Sequence, residues 1–82
     1  MKRIAWTEQA KADVRSLDKA TAMRILSALH RFVASGAGDV RALRGDAEEL
    51  RLRVGDYRLF FVLTGDDVIE VRRVRHRSEA YR

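Results

Sequence analysis

Apolar residues recur at intervals of three and four through the first half of the chain and at intervals of two through the second. Ala10, Val14 and Leu17 form one stripe of a short amphipathic helix. Thr7 stands where an N-cap belongs, Glu8 falls in the first turn, and the helix is predicted to end near Leu17 and Asp18. From Lys19 the apolar positions Ala22, Ile25, Leu26, Leu29, Phe32 and Val33 predict a longer second helix, with Gly36 as its C-terminal cap. The few residues between the two helices predict an antiparallel helical hairpin. Residues 2 to 6, ahead of Thr7, read as a short opening strand.

The stretch from Gly36 to Asp46 reads as the one long loop, holding three of the five glycines together with Arg41 and Arg44. Beyond it Leu50, Leu52 and Val54 alternate with Arg51 and Arg53, a strand with one apolar and one cationic face. Gly55-Asp56 makes a turn into Tyr57–Leu63, whose Tyr57, Leu59, Phe61 and Leu63 share a core-facing side. A second turn at Gly65-Asp66-Asp67 leads into a strand from Val68 through Arg75. The expected fold is α+β: a short N-terminal strand, a two-helix hairpin and a three-stranded antiparallel meander, with the opening strand on one edge of the sheet. It forms a single domain over residues 1–82.

Composition narrows the function. At 82 residues the chain supports one modest core, and 46% apolar with 35% charged residues is the balance of an ordered domain. No apolar run approaches the roughly 20 residues of a membrane span, and Met1-Lys2-Arg3 runs straight into Ile4-Ala5-Trp6 without the apolar stretch of a signal peptide, so a cytoplasmic location is expected. Without cysteine there is neither a disulfide framework nor a thiolate metal site, and His30 has no partner at ligand spacing. No phosphate-binding loop, dinucleotide fingerprint or Ser-His-Asp pattern is present, so neither metal nor cofactor is expected. The net charge is +5, and fourteen of the seventeen basic residues are arginine, whose planar fork binds phosphate through paired hydrogen bonds. A polyanionic partner follows, and RNA is the one the strand pattern favours.

The arginines concentrate where the strands are. Arg51, Arg53 and Arg58 flank one tight turn, and Arg72, Arg73, Arg75 and Arg77 bring the total to seven within 27 residues. The segment from Val74 to Arg82 adds His76 and Tyr81, two side chains able to move protons. Metal-free RNA cleavage by the ribose 2′-hydroxyl needs a base for that hydroxyl, cations for the phosphoryl oxygens and an acid for the leaving 5′-oxygen. Arginine suits the second task and is too weak a base for the first, which leaves Tyr81 or His76 for proton transfer. Arg51 and Arg58 nearby would lower a tyrosine pKa in the useful direction.

Leu43-Arg44-Gly45, the run Leu50 to Arg58 containing Arg51-Leu52-Arg53-Val54-Gly55-Asp56-Tyr57-Arg58, and Val74-Arg75-His76-Arg77 followed by Tyr81 resemble the RelE/ParE toxin superfamily over nearly the whole chain. The resemblance implies the toxin of a type II toxin–antitoxin pair. Its RelE-like branch implies an endoribonuclease that cuts mRNA on the ribosome with 16S rRNA contacts, and its ParE-like branch implies inhibition of DNA gyrase. In either case a cognate antitoxin is implied as partner. On the RelE-like reading Arg51, Arg58, His76, Arg77 and Tyr81 are the catalytic candidates, with Arg75 an alternative to Arg77. Arg41, Arg44, Arg53, Arg73 and Arg75 are the RNA-binding candidates. Glu49 falls where one branch of the superfamily has a lysine.

Overall fold

The computed structural model describes residues 3–43, 46–65 and 67–79. Among them are two helices and five strands: β1 (Arg3–Trp6), α1 (Glu8–Arg15), α2 (Lys19–Ser35), β2 (Asp39–Leu43), β3 (Asp46–Val54), β4 (Tyr57–Thr64) and β5 (Val68–His76). The strands form one sheet in the order β1-β5-β4-β3-β2, with β1 parallel to β5 and every other pair antiparallel.

Local chemistry sets the helix ends. Thr7 Oγ1 accepts the Ala10 N–H at 3.1 Å and donates to the Arg72 carbonyl at 3.0 Å, so one hydroxyl caps α1 and ties it to β5. Asp18 accepts from the Thr21 hydroxyl at 2.6 Å and the Thr21 N–H at 3.1 Å, which holds its carboxyl below the usual carboxylate range. Gly36 closes α2 in the left-handed conformation, φ 75°, donating its N–H to the Phe32 carbonyl at 2.8 Å.

The core lies between the helices and one face of the sheet. Ala10, Ile25 and Leu29 meet Leu52, Leu59, Phe61, Ile69, Val71 and Val74, all buried. Each large aliphatic or aromatic side chain placed there contributes ~1.5–3 kcal/mol of transfer free energy. Ile4, Trp6, Val14, Leu17 and Phe32 pack around this nucleus. Strand alternation then sends Arg51, Arg53, Arg58 and Phe60 to the opposite face.

Two details depart from the sequence expectation. The Gly36–Asp46 loop is a brief turn followed by strand β2, which pairs with β3 through Val40↔Leu52 and Arg41↔Arg51, so the sheet has five strands rather than a meander with one added edge. β3 is also longer than its apolar pattern, beginning at Asp46 instead of near Leu50. In Asp39-Val40-Arg41-Ala42-Leu43 the two branched aliphatics, Val40 and Leu43, are three apart and make no alternation, so the strand exists because β3 offers an edge to pair with. The second departure is Leu63, placed with the core by alternation but 53% exposed, because it lies beyond the reach of the helices near the end of β4.

β5 carries a bulge. Phe61 faces Val71 while Phe60 faces Arg73, so Arg72 is an extra residue in the ladder. The sequence Val71-Arg72-Arg73-Val74 spaces two core valines three apart, which a regular strand would send to opposite faces. The bulge puts both in the core and turns Arg73 to the open face.

Candidate active site

The β3–β4 hairpin organises the site. Gly55 takes φ 59° as the first of two loop residues, and register then sets Arg53 opposite Arg58 on the open face. β5 continues the arrangement, with Tyr57 opposite His76 and the Arg77 N–H donating to the Asp56 carbonyl at 2.7 Å.

Arg58 is the centre of this group. It is only 9% exposed, and its Nη1 donates to the carbonyls of Gly55 at 3.2 Å and Tyr57 at 3.1 Å. Its Nε is buried with no hydrogen-bond partner among the described residues. Burial, then the neighbouring Arg53, Arg51 and Arg77, push its pKa below the ordinary guanidinium value, and Asp56 acts the other way. Arginine nonetheless stays protonated in proteins. A buried cation surrounded by cations costs stability, and an anion bound beside it would offset that cost. Asp56 offers little compensation, since its contact with Arg77 is 3.9 Å and exposed on both sides.

His76 lies on the helix side of the sheet, paired with Tyr57 and lining a pocket with Asp13, Ser16 and Leu17, so alternation separates its ring from the arginines of the open face. Its ring meets Tyr57 edge-on at 5.2 Å, and its Nδ1 accepts the Ser78 N–H at 3.2 Å and lies 2.9 Å from the Ser78 hydroxyl. A backbone N–H can only donate, so the neutral ring carries its proton on Nε2, the nitrogen left for exchange with a ligand.

The other sequence candidates separate into distinct environments. Register puts Arg75 opposite Arg58, but its guanidinium is drawn to the Asp13 carboxylate on α1, which also accepts the Val74 N–H at 2.9 Å. Asp13 thereby continues along β5 where β1 has ended, and of the two C-terminal arginines only Arg77 stands among the charges that act on Arg58. Arg73 lies 4.1 Å above the Phe60 ring and bonds Glu49 through both terminal nitrogens, at 3.0 and 3.4 Å. Glu49 is thus a buried counter-ion of Arg73, and Phe60, also buried, is closed to base stacking. Arg53 is exposed and has no ion-pair partner among the described residues, while Arg41 is an exposed strand residue 3.7 Å from Asp39. Arg44 and Tyr81 lie outside the described residues. Asp13 was invisible as a functional candidate, because a carboxylate on the polar side of a short helix has no signal of its own. His30 is exposed on α2, and no cluster of metal-ligating side chains occurs among the described residues.

Comparison with known proteins bears on the family and the fold. Residues 4–81 match the family model described as the ParE toxin of the parDE type II toxin–antitoxin system. Among solved structures, the chain is similar to the RelB–RelE antitoxin–toxin complex from Methanococcus jannaschii, with 24% identity, 94% of each chain covered and a TM-score of 0.77. The RelE–RelB complex from Pyrococcus horikoshii OT3 gives 28% identity, 96% and 98% coverage and a TM-score of 0.75. The DinJ–YafQ complex of E. coli shares the fold at 16% identity, with 99% and 98% coverage and a TM-score of 0.77. No curated protein matches the chain significantly in sequence.

Proposed function

Because this chain belongs to the ParE toxin family of type II toxin–antitoxin systems, we propose that it acts as a ribosome-dependent mRNA endonuclease whose cutting site is the arginine group at the β3–β4 hairpin. The observation that carries this reading is Arg58, buried among Arg51, Arg53 and Arg77 with one donor unsatisfied. Such a group is costly to an empty protein and suited to a phosphodiester.

In this mechanism the 2′-oxygen of one ribose attacks the adjacent phosphorus, the P–O5′ bond breaks, and the products are a 2′,3′-cyclic phosphate and a 5′-hydroxyl. Arg58 and Arg77 stabilise the charge on the pentacoordinate phosphorus, and Arg51 orients the phosphate. The proton leaving the 2′-hydroxyl and the proton reaching O5′ are handled by Tyr81 or His76, and the arginines favour the ionised form of a phenol. Glu49 takes no part, because its carboxylate is held by Arg73. The relatives crystallised with RelB and DinJ support a cognate antitoxin as the partner that covers the toxin. On this reading the site of action is the cytoplasm, where translated mRNA is found.

A second reading, inhibition of DNA gyrase, is favoured by the name of the matching family model. Primer extension on translated mRNA beside a gyrase supercoiling assay separates the two. Cleavage by the native chain, slowed ~10²-fold or more in Tyr81→Phe at unchanged thermal stability, is the expected result. Unslowed cleavage would move proton transfer to His76, and supercoiling inhibition without cleavage would replace the nuclease reading.

A further inference from the structure

Arg24 of α2 lies against the back of the same hairpin. A Cβ built on Gly55 would stand 3.1 Å from Arg24 Nη2, while the Gly55 carbonyl accepts from Arg58 Nη1 at 3.2 Å. One glycine therefore separates the buried arginine of the open face from an exposed arginine on the helix side. The Arg24 guanidinium thus lies close to the Gly55 backbone.

From Arg24 a groove of about 360 Å³ runs along α2, lined by Met23, Arg24, Ser27, Ala28, Arg31 and Val54. Arg24 and Arg31 are two turns apart on one stripe, ~10.5 Å along the axis at 1.5 Å per residue. Neither has an ion-pair partner among the described residues, both are exposed, and α2 contains no aspartate or glutamate from Lys19 to Ser35. Met23, 53% exposed, Ala28 and Val54 add apolar surface to the same lining. Cations at intervals, a hydroxyl at Ser27 and an apolar floor suit the alternating phosphates and bases of a single strand.

We infer that this groove is a second phosphate track, which holds the flank of the same single-stranded RNA whose scissile phosphate lies at Arg58, the strand bending over the Gly55 tip. The inference rests on the nuclease reading for the identity of the strand, but its test does not require cleavage. Single-stranded RNAs with a 2′-deoxyribose at the central position cannot be cut by 2′-hydroxyl attack. Their affinity for the full chain can be followed by fluorescence anisotropy across a salt series, with a long oligonucleotide extended on both sides and a short one of a few nucleotides.

Each phosphate contact contributes about 0.7 to the slope of log affinity against log salt for single strands. Arg24→Gln with Arg31→Gln should therefore flatten the slope for the long RNA by about 1.4, leave the short RNA unchanged and leave the melting temperature in place. Arg24→Lys with Arg31→Lys should restore the slope. An unaltered slope for the long RNA would overturn the inference, as would an equal loss for both lengths. Retention of RNA binding with loss of binding to an acidic amphipathic peptide would overturn it in favour of a protein partner. Absence of mRNA cleavage alongside a flattened slope would remove the nuclease reading and leave the track standing.

Discussion

The two ends of the open sheet face use the same residue type in opposite ways. Toward the far end of β3 and β4, Arg73 is paired with Glu49 through two hydrogen bonds and its Cζ stands 4.1 Å from the centre of the Phe60 ring, so its charge is balanced. At the hairpin end, Arg58 is more deeply buried, yet the charges acting on it include Arg51, Arg53 and Arg77, with Asp56 acting the other way. The first arrangement stabilises the protein as it stands. The second has no comparable carboxylate partner among the described residues, and that contrast is why the proposed site is put at the hairpin end of the face.

The largest expected effect tests the hairpin end. Arg58→Met removes a buried, poorly compensated charge while keeping an apolar side chain of similar reach. Cleavage should fall ~10²–10³-fold, as when one transition-state donor is lost. The urea midpoint should stay level or rise, because replacing buried charge with packed apolar atoms is neutral or stabilising by ~1–4 kcal/mol. A large drop in stability would place Arg58 with Arg73 as a structural residue and dissolve the comparison.

Glu49→Ala tests the opposite end. It leaves Arg73 without its carboxylate partner and should cost ~1–3 kcal/mol in urea unfolding, while cleavage per folded molecule stays the same. Lost cleavage at full stability would show that Glu49 acts on the substrate. A smaller effect separates Arg75 from both groups. Asp13→Asn keeps an acceptor for the Val74 N–H but loses the ion pair to Arg75, and should cost ~0.5–1.5 kcal/mol, less than Asp13→Ala. Equal losses from the two variants would show that the ion pair, and not the backbone bond, ties α1 to β5.

Legibility in the sequence followed the strength of the local signal. α2 was readable from Lys19 to its Gly36 cap because six apolar positions from Ala22 to Val33 keep one period over about three turns. β3 and β4 were readable because apolar and basic residues alternate around a Gly-Asp turn. β2 was hidden, since Val40 and Leu43, three apart among small and polar residues, carry no period of two strong enough to compete with the glycines on either side. The cationic group was half readable. Arg51, Arg53 and Arg58 announce themselves by flanking one turn, but the separation of Arg73, Arg75 and Arg77 into three environments depends on partners distant in sequence.

By itself the sequence determined the α+β class, the helix caps, the hairpin and the presence of a cationic face, because each rests on residues within a few positions of one another. Tertiary structure decided which cations remain for a ligand. The β5 bulge turned Arg73 to Glu49, the end of β1 exposed a strand edge that Asp13 covers while holding Arg75, and the Arg24 guanidinium came to lie close to the Gly55 backbone. Each of these is a long-range pairing of opposite charges or a close backbone contact, and no local period encodes which of several identical side chains will find its partner.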